Sequence, residues 1–209
     1  MQLTKELAYV LGALRDGSIN RYKDKYGKLH HSISFYSKSV KWLKVLQKMF
    51  TKIFNITPRL VIYSYTTPYI RIYSKKIAEI FEREFQHPLS KQISWNTPEI
   101  IKKTKEKKIL RYYIAGFWDA EGGVDINRQQ VKFYLSWDGK NCFPLEDIKK
   151  ILEKFFNISS GKVCRYKNSN GNYPRFVLRI SKKDNLKFLR IFPLKNPEKI
   201  RKLRLICGV

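Results

Sequence analysis

The sequence predicts an α+β fold of two pseudo-symmetric halves, each ordered helix, two strands, helix, two strands, helix (αββαββα). Three observations predict it. Short patterns recur in the same order about 105 residues apart: Asp16-Gly17 as Glu121-Gly122, Phe54-Asn55-Ile56 as Phe156-Asn157-Ile158, and Ser74-Lys75-Lys76 as Ser181-Lys182-Lys183. In both halves, segments alternating with period two are interleaved with segments of helical spacing. The 209 residues, 43% hydrophobic and 14% aromatic, are enough to bury a core and argue against disorder.

The elements follow in chain order. Leu7 to Gly17 is a helix rich in small residues. Ile33 and Phe35 alternate with Ser32, Ser34 and Tyr36, which marks a half-buried strand. Val40, Leu43, Leu46 and Phe50 share one side of a helix whose other side carries lysines. Leu60 to Tyr63 and Tyr69 to Tyr73 form a hairpin around Thr66-Thr67-Pro68, and Ile77 to Phe85 closes the first half as a helix. The second half repeats the order: a helix from Tyr112 to Glu121, a strand in which Val131, Phe133 and Leu135 alternate with Lys132, Tyr134 and Ser136, and a helix from Leu145 to Phe156. A hairpin of Lys162 to Tyr166 and Arg175 to Ile180 turns at Asn168 to Asn172, a helix covers Asn185 to Ile191, and Pro197 starts a short terminal one. Residues 1–86 form the first half, 87–97 an aperiodic linker and 98–209 the second half, with Thr97-Pro98-Glu99 as a helix start.

Charge narrows the function. Lys and Arg number 43 against 17 Asp and Glu, a formal charge of +26 that calls for a polyanionic partner. Nucleic acid fits best. A membrane partner is set aside, because no run of about 18 apolar residues exists and the basic residues are spread through the chain. The N-terminus lacks the basic head and apolar stretch of a secretory signal, so an intracellular protein is expected, in the cytoplasm or nucleoid of a prokaryote or in an organelle. Cys142, Cys164 and Cys207 are odd in number, lack metal-ligand spacing and fit reduced thiols.

The chemistry concentrates at two helix ends. A helix C-terminus carries partial negative charge, yet both small-residue helices end in an acid, Asp16 and Glu121. Gly17 and Gly122 suit the left-handed position that closes a helix. Ala8 with Gly12, and Gly116 with Ala120, form stripes on which two backbones can approach closely. Packed about a pseudo-dyad, the helices bring both acids to one end of their interface. Such a pair is unfavourable unless a divalent cation lies between the acids or one is protonated. Oxygen ligands of this kind suit Mg2+. No histidine, cysteine or serine constellation competes for catalysis.

Ile114-Ala115-Gly116-Phe117-Trp118-Asp119-Ala120-Glu121-Gly122 resembles the motif of the LAGLIDADG homing endonucleases, and Leu7 to Gly17 resembles a second copy. The first copy departs from the pattern: Gly12 precedes its acid by four residues, whereas Gly116 precedes Glu121 by five. One residue is roughly 100° of helix, so either a different small face packs or the last turn is distorted. The resemblance covers nearly the whole chain. It implies a saddle of antiparallel sheets with the motif helices at its centre, and a monomer with an internal pseudo-dyad that cuts both strands of double-stranded DNA. Asp16 and Glu121 would hold the metal, joined by the carbonyls of Arg15 and Ala120, and Lys38 and Lys140 would sit at the strand-to-helix junctions as catalytic lysines. Strand residues opposite the apolar face would meet DNA: Arg71, Tyr73, Lys132, Tyr134, Arg165, Lys167, Arg175 and Arg179, extended by Arg21 and Lys23. The alternative reading is an intron RNA-splicing maturase or a non-catalytic DNA-binding protein on the same fold, since basic strand faces suit RNA and DNA alike.

Overall fold

The computed structural model describes residues 1–85, 96–135, 142–166 and 175–209, with Asp16 described through its backbone. Helix α1 (Lys5–Ala13) starts at Thr4, whose hydroxyl accepts the Leu7 amide at 3.2 Å, and continues into a 3-10 turn at Leu14–Asp16. Strands β1 (Gly17–Lys23) and β2 (Leu29–Tyr36), helix α2 (Val40–Phe54), strands β3 (Arg59–Val61) and β4 (Tyr69–Tyr73) and helix α3 (Lys75–Arg83) complete the first half. A short helix α4 (Glu99–Lys103) leads to α5 (Lys107–Glu121), then β5 (Gly122–Asp125), β6 (Gln130–Leu135), α6 (Phe143–Phe156), β7 (Cys164–Tyr166), β8 (Arg175–Arg179), α7 (Asn185–Ile191) and α8 (Pro197–Cys207).

The expected order of elements is present in both halves. The two sheets are antiparallel and have equivalent strand orders, β1-β2-β4-β3 and β5-β6-β8-β7. Register repeats as well: Gly17 lies opposite Phe35, and Gly122 opposite Phe133. The recurring tripeptides have a mechanical meaning. Asn55 and Asn157 adopt left-handed backbones, φ 54° and 50°, and terminate α2 and α6 in the same way. Ser74 caps α3 by accepting the Ile77 amide at 3.2 Å, while Ser181 precedes a 3-10 turn, Lys182–Asp184, that runs into α7.

Burial separates the sheet faces. Ile33, Phe35, Ile70 and Ile72 in one sheet, and Val131, Phe133 and Leu178 in the other, are buried under the helices. Between the sheets, α1 is buried along Leu7 to Ala13 and α5 along Tyr113 to Ala120, as expected of helices at a core centre. Their contact is backbone to backbone. A Cβ built on Gly116 would press on the Tyr9 carbonyl group and lie 3.0 Å from the Ala13 nitrogen; one on Gly12 would press on the Tyr113 carbonyl and lie 2.6 Å from the Phe117 nitrogen. Each glycine is the hole for the other helix.

Two sequence expectations need correction. Gly17 and Gly122 are not left-handed caps: both are extended, with φ −118° and −99°, and open β1 and β5 directly. Glycine is required there by space. A Cβ at Gly17 would lie 2.8 Å from both Leu14 Cδ1 and Ser34 O, and one at Gly122 would collide with the Trp118 side chain. The predicted turn at Asn168 to Asn172 and most of the predicted linker lie outside the described residues.

Candidate active site and nucleic-acid face

The short first motif is resolved by how its helix ends. Helix α5 stays α-helical through Glu121, whereas α1 stops at Ala13 and tightens into the 3-10 turn. An α-helix rises about 1.5 Å and turns about 100° per residue, a 3-10 helix about 2.0 Å and 120°. From Gly12 to Asp16 the backbone therefore advances about 7.5 Å, the same as from Gly116 to Glu121. The rotational shortfall drops from about 100° to about 40°. The same small face packs, and the last turn is the part that differs. Each motif then enters its first strand through glycine, so Asp16 and Glu121 occupy equivalent helix-to-strand junctions.

Cations surround Glu121. Its carboxyl is half-buried, and burial pushes it above the usual carboxylate range against the opposing charges of Lys199, Arg15 and Arg175. Arg15 itself is 6% exposed, with its guanidinium 5.5 Å from the centre of the Phe117 ring. Lys199 Nζ, on α8, donates to the Ala120 carbonyl at 2.6 Å and to the Trp118 carbonyl at 3.3 Å. A cavity of about 410 Å³ opens beside this end of α5, lined by Tyr36 and Lys38 from the first half and by Ala120, Glu198, Lys199 and Lys202 from the second.

One turn back, a buried network joins the halves. Asp119 is 1% exposed; its Oδ2 accepts the Tyr9 hydroxyl at 2.5 Å and the Lys195 amide at 2.6 Å, and the Tyr9 oxygen accepts the Trp42 indole N–H at 2.7 Å. Burial raises Asp119 to about 6, against these hydrogen bonds and the charge of Lys199. Asn196 Nδ2 donates to the Asp119 carbonyl at 3.3 Å, which fastens the start of α8 to α5. Tyr9→Phe leaves a buried carboxylate oxygen and an indole N–H each short of a partner. The expected loss is about 1–3 kcal/mol, measured by denaturant unfolding against wild type.

The outer sheet faces are basic and aromatic. In the first, Arg71 Nε donates to Ser34 Oγ at 2.9 Å, Nη2 to the Tyr36 hydroxyl at 3.3 Å, and the guanidinium lies 4.7 Å from the Tyr69 ring centre. In the second, Arg179 donates to the Tyr166 hydroxyl at 2.8 Å, and Lys132 and Arg175 lie 5.1 Å and 5.4 Å from the Tyr134 ring centre. Asp125 lies 3.7 Å from Lys132 and 3.8 Å from Arg179, so part of this face is self-neutralised. These cations are held in place by neighbours on their own face.

The comparisons with known proteins agree with this geometry. The LAGLIDADG-like domain family matches residues 108–193. Homing endonuclease I-ApeI of Aeropyrum pernix is 30% identical over 208 residues, covering 97% of this chain and 87% of the relative. The chain belongs to the LAGLIDADG homing endonuclease family. Among solved structures of LAGLIDADG proteins, I-DmoI in complex with DNA and Mn superposes with a TM-score of 0.66 at 20% identity, over 91% of this chain and 97% of that one. I-WcaI bound to its DNA recognition sequence gives 0.56 at 18% identity, over 97% and 88%.

On this LAGLIDADG scaffold the sequence-derived residues divide. Glu121, Ala120 and Lys38 line or flank the end of α5, and Arg15 and Asp16 form the matching 3-10 turn. Arg71, Tyr73, Lys132, Tyr134, Arg175 and Arg179 share the outer faces, because each alternates or pairs out of phase with the buried residues. Arg21, Lys23 and Arg165 do not. Arg21 and Lys23 have the phase of buried Ile19, and Arg21 turns to His31 at 2.9 Å and to Glu82 of α3 at 3.7 Å. Arg165 pairs with buried Phe176. These three lie on the helix side of their sheets, a correction to the expected contact surface. Lys140 and Lys167 lie outside the described residues. Two residues were missed. Arg59, opposite Arg71, belongs to the outer face, and Lys199 reaches the motif end from α8. Asn196-Pro197-Glu198 repeats Thr97-Pro98-Glu99, a signal in the sequence that would have drawn attention to α8.

Proposed function

We propose that the two outer sheet faces lie along a long, nearly asymmetric duplex and that Asp16 and Glu121 serve the cuts in its two strands. As a homing endonuclease the chain is a site-specific DNA endonuclease, and its metal-dependent hydrolysis of phosphodiester bonds is the family chemistry. The observation that carries the assignment to these acids is the reciprocal packing of Gly12 and Gly116, which sets both motif ends at one end of a single helix pair.

The donor set fits a hard divalent cation. It offers a half-buried carboxylate at Glu121, Asp16 at the equivalent junction of the first motif, the backbone carbonyl of Arg15, and that of Ala120, one lone pair of which accepts Lys199 Nζ at 2.6 Å. Among the described residues no cluster of three His, Cys, Asp or Glu exists, so water and phosphate oxygens would fill the remaining positions, as Mg2+ prefers. The I-DmoI structures solved with DNA in the presence of Mn and of Mg support this reading. A bound ion would polarise the scissile phosphate and lower the pKa of its water. The rest falls to the protein. Lys38, in the lining of the cavity, offsets phosphate charge; Arg71, Lys132, Arg175 and Arg179 meet phosphates or guanine edges. The pseudo-dyad lies within one chain, so the active unit is a monomer; a genomic DNA substrate is met in an intracellular compartment.

Cleavage selection tests this. Purified protein with Mg2+ and a randomised duplex library is expected to enrich one long, nearly asymmetric sequence and to linearise a plasmid carrying it, with no product in chelator. Failure to cut any duplex, together with tight binding to an intron transcript, would establish the maturase reading instead.

A further inference from the structure

We propose that Lys199 is a positioning residue for only one of the two strand cuts, the cut made at Glu121. The inference deepens the endonuclease reading and rests on it.

The internal repeat exposes the asymmetry. After the last helix of each αββαββα unit comes a segment that begins with a buried polar residue, then Pro-Glu, then a helix: Thr97-Pro98-Glu99 at α4, following α3, and Asn196-Pro197-Glu198 at α8, following α7. Thr97 is 0% and Asn196 4% exposed. Asn196 is fastened to Asp119, the partner of Tyr9, while Thr97 lies beside Tyr113, which takes on α5 the place Tyr9 takes on α1. The two segments therefore occupy equivalent places against the helix pair. The next residue is where they part. It is Lys199 in one and Ile100 in the other, an apolar side chain packed against the core.

Lys199 reaches the last turn of α5, donating to the carbonyls of Trp118 and Ala120, the second of which directly precedes Glu121. A cation there offsets the negative end of the helix and fixes the peptide that presents the acid. Lys38, at the junction of β2 and α2, and Lys202, also on α8, line the same cavity and offer their charge to an entering phosphate, while Lys199 is engaged with the end of α5. Ile100 supplies neither charge nor donor to the other motif end. Lys199 acts through Ala120 and Glu121, and its removal disturbs one side of a two-sided reaction.

The test is Lys199→Met on a plasmid and an end-labelled duplex carrying the selected target, with each strand followed separately. One strand is expected to slow about 100-fold while the other stays within about threefold, so that nicked circles accumulate. Lys199→Arg should recover most of the lost rate. Binding of the uncut duplex in Ca2+ should stay within about threefold of wild type, a readout independent of turnover. Equal slowing of both strands, or of neither, overturns the proposal; equal slowing is what a purely structural cap on α5 predicts. Should Lys199→Met fail to fold, Lys199→Gln is read by the same criterion. A wild-type protein that cuts no duplex overturns the endonuclease reading and this inference with it, whereas one that cuts while Lys199→Met slows both strands alike overturns this inference alone.

Discussion

Glu121→Gln is expected to leave a protein that binds its target and does not cut it. The amide keeps the size and the α5 junction but removes the charge that a divalent cation requires, so cleavage should fall by about 1,000-fold or more, with DNA affinity within about threefold of wild type. A small gain in affinity is consistent, because a negative charge facing phosphate is removed. Single-turnover cleavage and equilibrium binding in Ca2+ separate the two effects. A loss of binding comparable to the loss of cutting would assign Glu121 a structural role instead.

Gly116→Val should be the most destabilising single change in the helix pair. Its first side-chain carbon would lie 2.8 Å from the Tyr9 carbonyl carbon and 3.0 Å from the Ala13 nitrogen, and backbone cannot swing aside as a side chain can. The helices must separate, and cleavage of both strands goes with them. The expected cost is about 3 kcal/mol or more, at the upper end of overpacking effects. Gly161→Ala is the control: its added carbon would meet only the Arg179 carbonyl, at 3.9 Å, and stability should change by no more than about 0.5 kcal/mol. Denaturant unfolding measures both, and a Gly116→Val protein as stable as the control would show that the tight crossing is dispensable.

The architecture was legible because it is periodic. Strand alternation and the recurrence of Phe-Asn-Ile and Ser-Lys-Lys each report a local physical requirement, and two of these are the left-handed caps Asn55 and Asn157. Residues at the site were legible only where the motif itself named them. The reason for Gly17 and Gly122 was misread because a close approach to Leu14 or Trp118 leaves the same letter as a left-handed backbone. Arg21 could have been placed from its spacing to Ile19, but Arg165 sits in the three-residue strand Cys164–Tyr166, where no buried residue sets the phase. Lys199 was hidden among 43 basic residues because its role depends on a contact spanning about 80 positions along the chain, which no local pattern records.

The Tyr9–Asp119 bond also carries information about which halves can mate. Spacing from the crossing glycines makes Arg15 the counterpart of Asp119: each lies three residues beyond Gly12 or Gly116, and each is buried against the opposite helix, Arg15 at Phe117 and Asp119 at Tyr9. One half presents a guanidinium at this level, the other a carboxyl. Two copies of the first half would enclose a pair of guanidinium groups, and two copies of the second a pair of carboxyl groups, each a like-charge burial that the native pairing avoids. Two halves that share helix caps, register and sheet order are thereby complementary at this level, and neither is a substitute for the other.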